Sequence, residues 1–387
     1  MRSLQNFRPL AVALKHDGDD ADCRCAPGTR SAPGRKGRRM RVLVIDDSSF
    51  MRRVLSKLIE ADPDLVVIGT ADNGVAGLEQ ITALKPDVVT LDIQMPRLNG
   101  LGVLQELADR GTPAPPILVC SSLTAEGTHE ALEAMRLGAA DFITKDAVKA
   151  ASSDPEFSRS LTSTIKHIAQ AGKRRRQAGA RPVESPMEPT RGADGGANGR
   201  VVGGEAAVAC GALSAALPAT PALKFILVIG TSTGGPPVLE ATIGALPAKP
   251  SFPVVVAQHM PAAFTASLAE RLDRLCAPRV VHASDNLPLE AGTVYIGEGG
   301  KNVRVVTRDG RQRLEVNRLP ETTLYRPSAD ELFRSVSGPY RRACTALVLS
   351  GMGNDGAAGA AAIQAAGGRV FTQTEASCVV YGMPKAV

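Results

Sequence analysis

The chain has no tryptophan and few aromatic residues, which argues against one large class of function. Aromatic side chains make up only 3% of the 387 residues. Proteins that bind single-stranded nucleic acid stack its bases on aromatic rings. A base-stacking surface is therefore a poor interpretation of this sequence, and we expect no nucleic-acid partner.

Long apolar runs are also missing, although 44% of the residues are hydrophobic and suffice for real cores. No run approaches the roughly 20 residues that span a bilayer. The first residues include basic side chains but no apolar segment of signal-peptide length. We expect a cytoplasmic protein with no direct membrane insertion.

Cysteine is scattered and forms no pair of Cys-x-x-Cys units, so the sequence offers no zinc motif. Several cysteines lie inside apolar, strand-like runs, which is typical of buried reduced thiols and fits a reducing compartment. The seven cysteines are Cys23, Cys25, Cys120, Cys210, Cys276, Cys344 and Cys378.

Two basic segments account for the positive charge and also lack a hydrophobic period. Of the net charge of +6, residues 1–39 contribute +5 and residues 172–200 contribute +4, so the rest carries −3. We interpret residues 1–39 as a disordered extension and residues 166–222 as a flexible linker, with a local helix as the alternative for its start. Met40 immediately precedes the first convincing strand, and we expect the natural start there.

Residues 40–165 alternate short β-branched runs with helical patterns five times. This alternation predicts a (βα)5 domain with a parallel, doubly wound sheet that helices cover on both faces. The predicted strands are Arg41–Ile45, Leu65–Ile68, Val88–Leu91, Ile117–Cys120 and Asp141–Thr144. The predicted helices are Ser49–Glu60, Gly74–Leu84, Gly100–Arg110, Ala125–Leu137 and Pro155–Ala169.

Residues 223–387 predict a second doubly wound α/β domain, in which apolar strands end in turns that carry Gly, His or Asp. Two of its runs flank Asp309-Gly310, a dipeptide that favours a tight turn, and predict an antiparallel hairpin. The predicted strands are Phe225–Ile229, Pro253–Ala257, Arg279–His282, Thr293–Ile296, Val303–Arg308, Arg313–Asn317 and Ala346–Leu349.

Charged and polar side chains follow the strands of the first domain at the carboxyl edge, where functional residues lie in such sheets. Asp46 and Asp47 follow the first strand, Asp92 the third, Ser121 the fourth and Lys145 the fifth. Converging carboxylates repel one another unless a cation joins them, and oxygen ligands select a hard ion such as Mg²⁺. Such an ion lets a phosphoryl group approach a carboxylate, and Lys145 offsets the added charge. An Asp-Asp pair alone is more often a turn or a helix cap, so the prediction depends on the whole ordered set.

The strands of the second domain place a serine, a histidine and an aspartate at one edge. Ser232 lies in the glycine-rich turn Gly230–Gly235 after the first strand, His259 follows the second strand, and Asp355 follows the last. In serine hydrolases a histidine removes the serine proton, and an aspartate holds the tautomer of that histidine. Each residue alone has a plainer explanation as a turn or solvated group, but the three together favour nucleophilic catalysis.

The first domain resembles the receiver domains of response regulators over about residues 41–150. The resemblance implies that a histidine kinase phosphorylates Asp92. It also implies that Asp46, Asp47, Asp92 and the backbone carbonyl of Gln94 form the Mg²⁺ site, and that Ser121, Phe142 and Lys145 form the switch. The motifs that carry it are Asp46-Asp47, Leu91-Asp92-Ile-Gln-Met-Pro96, Asn99-Gly100, Ser121 and Lys145.

One position departs from the receiver pattern. Receivers usually follow the lysine with a proline in a cis peptide, whereas Asp146 follows Lys145 here. A cis bond without proline costs about 2.5–4 kcal/mol. We therefore expect a trans peptide at this position.

With its second domain, the chain resembles the CheB methylesterase family over about residues 41–387. The resemblance implies Ser232 as nucleophile, His259 as base and Asp355 as the residue that orients it, with the backbone N–H groups of Thr233 and Met352 as the oxyanion hole. The motifs that carry it are Gly230-Thr-Ser232-Thr-Gly-Gly235, Gln258-His259-Met-Pro261, Arg326-Pro-Ser328 and Ser350-Gly-Met352-Gly-Asn-Asp355-Gly356.

This resemblance also implies the reaction and the partners. Methyl esters of glutamate side chains on chemoreceptor cytoplasmic domains become glutamate and methanol, and some glutamines are deamidated. The resemblance implies phosphorylation by a histidine kinase of the CheA type, Mg²⁺ for that step, and no cofactor for the esterase. In the family, the unphosphorylated receiver covers the esterase cleft, and phosphorylation relieves that block.

Two features of the second domain depart from the family pattern. The chain ends at Val387, where relatives continue through another helix, so we expect a truncated C-terminus. The segment Gly297–Asn302 lacks the proline and histidine typical of that loop, which predicts altered substrate contacts.

Two other outputs compete with the esterase, besides a non-catalytic relative. The glycines of Gly230–Gly235 are compatible with a phosphate cradle. That reading leaves His259 and Asp355 without a role, and the fingerprint Gly-x-Gly-x-x-Gly is absent. A receiver followed by the basic run Lys173–Arg176 also fits a DNA-binding regulator. The second domain, however, predicts an α/β sheet rather than a helix-turn-helix.

Overall fold

Strands and helices alternate along most of the chain in a computed structural model, which describes residues 14–16, 38–111, 114–122, 124–150, 155–177 and 225–387. The strands are β1 (Leu14–His16), β2 (Met40–Ile45), β3 (Leu65–Ala71), β4 (Val88–Asp92), β5 (Ile117–Ser121), β6 (Asp141–Thr144), β7 (Ile226–Thr231), β8 (Val254–Gln258), β9 (Arg279–His282), β10 (Thr293–Ile296), β11 (Asn302–Arg308), β12 (Arg311–Asn317), β13 (Cys344–Val348) and β14 (Arg369–Gln373). The helices are α1 (Ser49–Glu60), α2 (Gly74–Leu84), α3 (Gly100–Asp109), α4 (Ala125–Arg136), α5 (Lys145–Ala150), α6 (Pro155–Gln177), α7 (Gly235–Gly244), α8 (Ala262–Leu275), α9 (Ala329–Tyr340), α10 (Ala357–Ala365) and α11 (Met383–Ala386).

The first domain is the predicted parallel sheet, with strand order β3-β2-β4-β5-β6. Its helices bury apolar stripes: α1 places Met51, Leu55 and Ile59 against the core at helical spacing. The side chains of Ser48 and Asn73 accept backbone N–H groups at the starts of α1 and α2. The strand order reverses at β2, so the carboxyl ends of β2 and β4 form the crevice in which doubly wound sheets bind ligands.

The second domain is built on a seven-stranded sheet in the order β1-β14-β13-β7-β8-β10-β9. All its pairs are parallel except β1 with β14. The predicted hairpin is confirmed as β11 and β12, and both turn residues, Asp309 and Gly310, have positive φ. The strand order reverses at β7, which places the end of that strand at the switch point of this sheet.

Several elements differ from the sequence prediction. The short α5 and the edge strand β14 were not predicted, and β1 lies inside the segment predicted to be disordered. Helix α6 continues to Gln177, past the predicted domain boundary at residue 165, because its side chains find partners there: Lys173 pairs with Asp87 and Arg174 with Glu375. The rest of the predicted extension, and the predicted linker beyond residue 177, lie outside the described residues.

The structure also bears on the peptide bond after Lys145, on the cysteines and on membrane-spanning helices. In the described part of the chain the cis peptides are Leu319-Pro320 and Arg326-Pro327, so the expected trans bond after Lys145 is confirmed. Among the described residues, Cys120, Cys276 and Cys344 are free thiols, and Cys378 is buried. Among the described residues, no helix combines the length and apolarity needed to cross a bilayer.

Phe333 on α9 is a large buried side chain in the core of the second domain. Its ring is fully buried and packs against the backbone of Gly230 and Gly356, where an added Cβ would lie 3.2 and 3.4 Å from ring atoms. We expect Phe333→Ala to lower the free energy of unfolding by about 3–5 kcal/mol, because it leaves a cavity that close backbone cannot fill. Urea unfolding followed by circular dichroism measures this change. The control Phe50→Ala removes a half-exposed ring and should change stability by less than about 0.5 kcal/mol.

Candidate functional site

The structure brings together the acidic residues that the sequence placed at the first sheet edge. Carboxylate oxygens of Asp46, Asp47 and Asp92 all lie within 4.8 Å of one another. Asp46 and Asp92 are buried, whereas Asp47 is exposed. The Lys145 Nζ lies 2.7 Å from Asp92 Oδ2 and 3.9 Å from Asp46 Oδ2. Four of the predicted receiver residues therefore form one cluster.

Burial dominates the electrostatics of this cluster. It raises the pKa of Asp92 to about 6, and the charge of Asp46 adds to that rise against the hydrogen bond from Lys145. Burial likewise raises the pKa of Asp46, which Lys145 partly opposes. For Lys145 itself, burial lowers the pKa, but the hydrogen bond and charge of Asp92 raise it above its ordinary value overall. One lysine therefore does not relieve the cost of two buried carboxylates.

These residues fit a hard divalent cation. The Asp46 Oδ2 is buried and has no hydrogen-bond partner in the described structure, so a lone pair is left without a donor. The side-chain ligand atoms of this cluster are all carboxylate oxygens, which Mg²⁺ prefers. The backbone N–H of Gln94 donates to Asp92 Oδ1 at 3.3 Å, and the metal contact of the Gln94 carbonyl stays a prediction.

The predicted switch residues lie at the end and the start of neighbouring strands. The Ser121 hydroxyl is buried and donates to the Gly127 carbonyl at 2.6 Å rather than to the acidic cluster. Phe142 on β6 stacks on Phe264 of α8, with ring centroids 4.1 Å apart and planes at 20°. The predicted switch ring therefore contacts the second domain.

The strand register places Ser232 beside His259 at the switch point of the second sheet. Thr231 pairs with Gln258 at the ends of β7 and β8, so Ser232 and His259 are the next residues on neighbouring strands. The His259 N–H donates to the Thr231 carbonyl at 3.0 Å, and the Gln258 side-chain amide donates to the Ser232 carbonyl at 3.0 Å. The predicted nucleophile and base are thus fixed through their own backbones.

The third predicted residue, Asp355, closes on the histidine from the end of β13. His259 Nε2 lies 2.8 Å from Asp355 Oδ2, and both side chains are almost fully buried. An ionised carboxylate only accepts, so this bond assigns the ring proton to Nε2 and leaves Nδ1 as an acceptor. Nδ1 is buried and has no hydrogen-bond partner in the described structure.

The start of α9 holds Asp355 in its ionised form. The backbone N–H groups of Ala329 and Asp330 donate to its carboxylate at 2.6 and 3.1 Å, and the Ser328 hydroxyl donates at 2.8 Å. Burial alone would raise the pKa of Asp355, but the bond from His259 and these backbone donors lower it below its ordinary value. The positive end of a helix favours an anion in the same way.

Close backbone packing shapes the turn around Ser232. Gly234 has φ +77°, and a Cβ there would lie 2.5 Å from the Val379 Cβ. A Cβ on Gly235 would clash with the Gln258 side chain. Only glycine fits these two positions, which explains the glycines that the sequence showed.

Two backbone N–H groups near Ser232 are candidates to bind an oxyanion. The Ser232 N–H donates to the Ser350 carbonyl at 3.0 Å and is therefore occupied. By contrast, no described residue accepts the backbone N–H of Thr233 or of Met352. These are the two donors predicted from the family pattern. A Cβ added to Gly351, the residue before Met352, would lie 2.9 Å from the Ser232 Cβ.

The first domain lies against this edge. The Thr233 hydroxyl donates to Asp141 Oδ2 on β6 at 2.5 Å, and burial raises the pKa of Asp141 to about 6. The Met352 sulfur lies 3.8 Å from the Ser163 hydroxyl of α6. Two further contacts join the domains: Thr128 to Ser267 at 3.2 Å and Arg271 to Glu133 at 3.1 Å.

Ser328 and Tyr325 belong to the site, although the sequence analysis assigned neither of them a role. Ser328 orients Asp355, and its pattern Ser328-Ala-Asp-Glu331 is a capping-box signature that marks it as the start of a helix. Tyr325 stacks on His259, with ring centroids 4.5 Å apart and planes at 7°. Nothing in the sequence pattern signals this stack, because it joins two loops far apart in the chain.

Each of the two domains matches a known protein family. Residues 42–151 match the family model described as response regulator receiver domain, and residues 227–387 match CheB methylesterase. A protein-glutamate methylesterase/protein-glutamine glutaminase 1 of Oleidesulfovibrio alaskensis is 41% identical over 90% of this chain and 93% of its own. A second relative of the same description, from Nitratidesulfovibrio vulgaris, is 40% identical over 89% and 92%. The catalytic domain of Thermotoga maritima CheB methylesterase is 36% identical over 42% of this chain and 86% of its own, with a TM-score of 0.40.

The acidic cluster predicts a measurable cation affinity. We expect Asp47→Asn to weaken Mg²⁺ binding by on the order of tenfold or more, since even the outer partners of metal ligands contribute about that much. Isothermal titration of the full chain measures the affinity. Asp72→Asn, an exposed aspartate after β3, is the control and should bind as the wild type does. Equal affinity in both variants would contradict the assignment of Asp47.

Proposed function

The chain belongs to the CheB methylesterase family with a response regulator receiver domain, and from that membership we propose that it is a phosphorylation-controlled serine esterase. It hydrolyses glutamyl methyl esters on chemoreceptors and deamidates some of their glutamines. The observation that carries this proposal is the state of His259. Its Nε2 is engaged by Asp355, and its Nδ1 has no hydrogen-bond partner among the described residues. Ser232 follows the strand next to that of His259.

The nucleophilic step follows from this pairing. The Ser232 Oγ attacks the ester carbonyl carbon while His259 Nδ1 takes the hydroxyl proton. The carbonyl oxygen gains negative charge, which the N–H groups of Thr233 and Met352 stabilise. When the tetrahedral adduct collapses, the bond to the methoxy oxygen breaks, and that oxygen receives the proton from His259 and leaves as methanol.

The second half of the cycle regenerates the serine. A water molecule gives a proton to His259 Nδ1 and attacks the acyl carbon, and that proton returns to the Ser232 Oγ as the bond to the acyl carbon breaks. The glutamate side chain leaves as a carboxylic acid and loses its own proton to solvent. A glutamine side chain follows the same course and releases ammonia. Asp355 remains ionised throughout and stabilises the imidazolium that forms twice per cycle. The low pKa of Asp355 suits this role, because a carboxylate that took the proton would leave the imidazole without its orienting acceptor.

The interdomain contacts support inhibition by the unphosphorylated receiver. Thr233 supplies one oxyanion donor, and its hydroxyl is held by Asp141 of the receiver. Phe142 stacks on Phe264 next to this bond. A glutamate methyl ester on a receptor helix needs this edge to be open, so docking of the receiver competes with substrate.

Strand β6 connects the phosphorylation site to this interface. Lys145, directly after β6, bonds Asp92, while Asp141 at its start bonds Thr233. Bound Mg²⁺ would supply the positive charge that lets a phosphoryl group reach the Asp92 carboxylate. Phosphorylation of Asp92 by a histidine kinase of the CheA type gives Lys145 and Ser121 a new anionic partner. Phe142 then leaves Phe264, and the receiver releases the esterase edge.

Removal of the nucleophile tests the esterase. We expect Ser232→Ala to lower methanol release from methyl-labelled receptor membranes by a factor on the order of 10⁴ or more, because the acyl-enzyme no longer forms. Release is measured with Mg²⁺ and acetyl phosphate, and circular dichroism checks the fold of the variant. Undiminished release from folded Ser232→Ala protein would sink the proposal.

The inhibitory contact generates a separate prediction. We expect Asp141→Ala to raise methanol release without phosphodonor by roughly tenfold, the effect of losing about 1.4 kcal/mol of docking free energy from one charged hydrogen bond. The control Asp146→Ala removes an exposed aspartate of the same domain. Equal basal rates in Asp141→Ala and Asp146→Ala would show that this bond does not restrain the esterase.

A further inference from the structure

The proposed catalytic base has an aromatic ring on one face. The ring of Tyr325 lies nearly parallel to the imidazole of His259, 4.5 Å away between centroids. The imidazole has a single side-chain hydrogen bond, at Nε2, and this bond alone leaves the ring free to tilt about the Cβ–Cγ bond. The Tyr325 ring, stacked on one face of the imidazole, restricts this tilt. It therefore fixes the direction in which Nδ1 points while Nε2 stays bonded to Asp355.

The loop that carries Tyr325 is held in place by its own hydrogen bonds. The Arg326 guanidinium donates to the carbonyls of Arg318 and Glu321 at 3.3 and 2.6 Å. The Arg326 carbonyl in turn accepts the Gly300 N–H at 3.0 Å. Ser328, three residues after Tyr325, bonds Asp355. One short segment therefore places both the carboxylate and the stacked ring around His259.

Hydrophobic burial does not by itself explain the stack. Tyr325 is only partly buried, and its neighbour Leu324 is 73% exposed, so the loop lies at the surface and not in the core. The Tyr325 hydroxyl points towards Gly353, where an added Cβ would lie 3.3 Å from it. The face of the ring, rather than the hydroxyl, meets the imidazole.

Aromatic faces carry partial negative charge and attract cations. His259 becomes a cation twice in the proposed cycle, and Tyr325 stays neutral, because burial and the charge of Asp355 raise the pKa of its phenol. The stack therefore favours the imidazolium over the neutral ring.

We propose that Tyr325 is a positioning residue of the esterase, whose ring fixes the plane of His259 and stabilises its imidazolium during acyl transfer. This inference rests on the proposed function. It assigns to the loop between β12 and α9 a part in the chemistry, in addition to the support that Ser328 gives to Asp355.

The test separates the ring from the hydroxyl. Full-length Tyr325→Phe keeps the ring and should hold kcat within about twofold of the wild type. Tyr325→Leu removes the ring and should lower kcat about tenfold with little change in KM, since the ring acts on the transition state. Leu324→Ala, on the same loop, is the matched control.

A second readout is independent of turnover. The ring protons of His259, assigned by nuclear magnetic resonance with His259→Ala, should be shifted by the ring current of the wild type and of Tyr325→Phe but not of Tyr325→Leu. If Tyr325→Phe loses as much kcat as Tyr325→Leu, the hydroxyl acts and the proposal is wrong. An unchanged kcat in Tyr325→Leu would also overturn it. If Ser232→Ala retained full methanol release, the proposed function would fail, whereas the resonance shifts would still decide the position of the ring.

Discussion

The geometry of the second site depends on the buried carboxylate of Asp355. Burial of a charge is costly unless hydrogen bonds replace water, and here three donors from the start of α9 and one from His259 do so. Because this carboxylate stays ionised, His259 must keep its proton on Nε2 and present an acceptor at Nδ1. The proposed activation of the serine needs such an acceptor, so the chemistry proposed at the end of β7 depends on the position of α9.

The two domains use the same architectural rule for different purposes. In each sheet the strand order reverses at one strand, and the functional groups lie at the carboxyl ends of the strands beside that point. The first edge gathers carboxylates and one lysine, which suits a cation and a phosphoryl group. The second gathers a hydroxyl, an imidazole and a carboxylate, which suits acyl transfer. Strand β6 contacts both, since Asp141 is its first residue and Lys145 directly follows it.

Much of this could be predicted from the chain. The apolar runs before Asp46, Asp92, Ser232 and His259 are short and β-branched, so their strands and the positions of the residues after them were predictable. Edge elements were harder, because β14 has mixed burial and a weak apolar pattern. The C-terminal end of α6 was predicted only as an alternative, since a basic composition favours a linker unless partners such as Asp87 and Glu375 are known.

The sequence by itself determined the two α/β domains, the residue types at each sheet edge and the glycines that the turn at Ser232 requires. These depend on local patterns, namely strand periodicity, turn chemistry and motif spacing, which neighbouring residues in the chain carry. Only the tertiary structure decided which histidine nitrogen faces the carboxylate, that Tyr325 covers the imidazole, and that Asp141 reaches Thr233. These contacts join residues distant in the chain, and their geometry is set by helix and domain packing that no local pattern records.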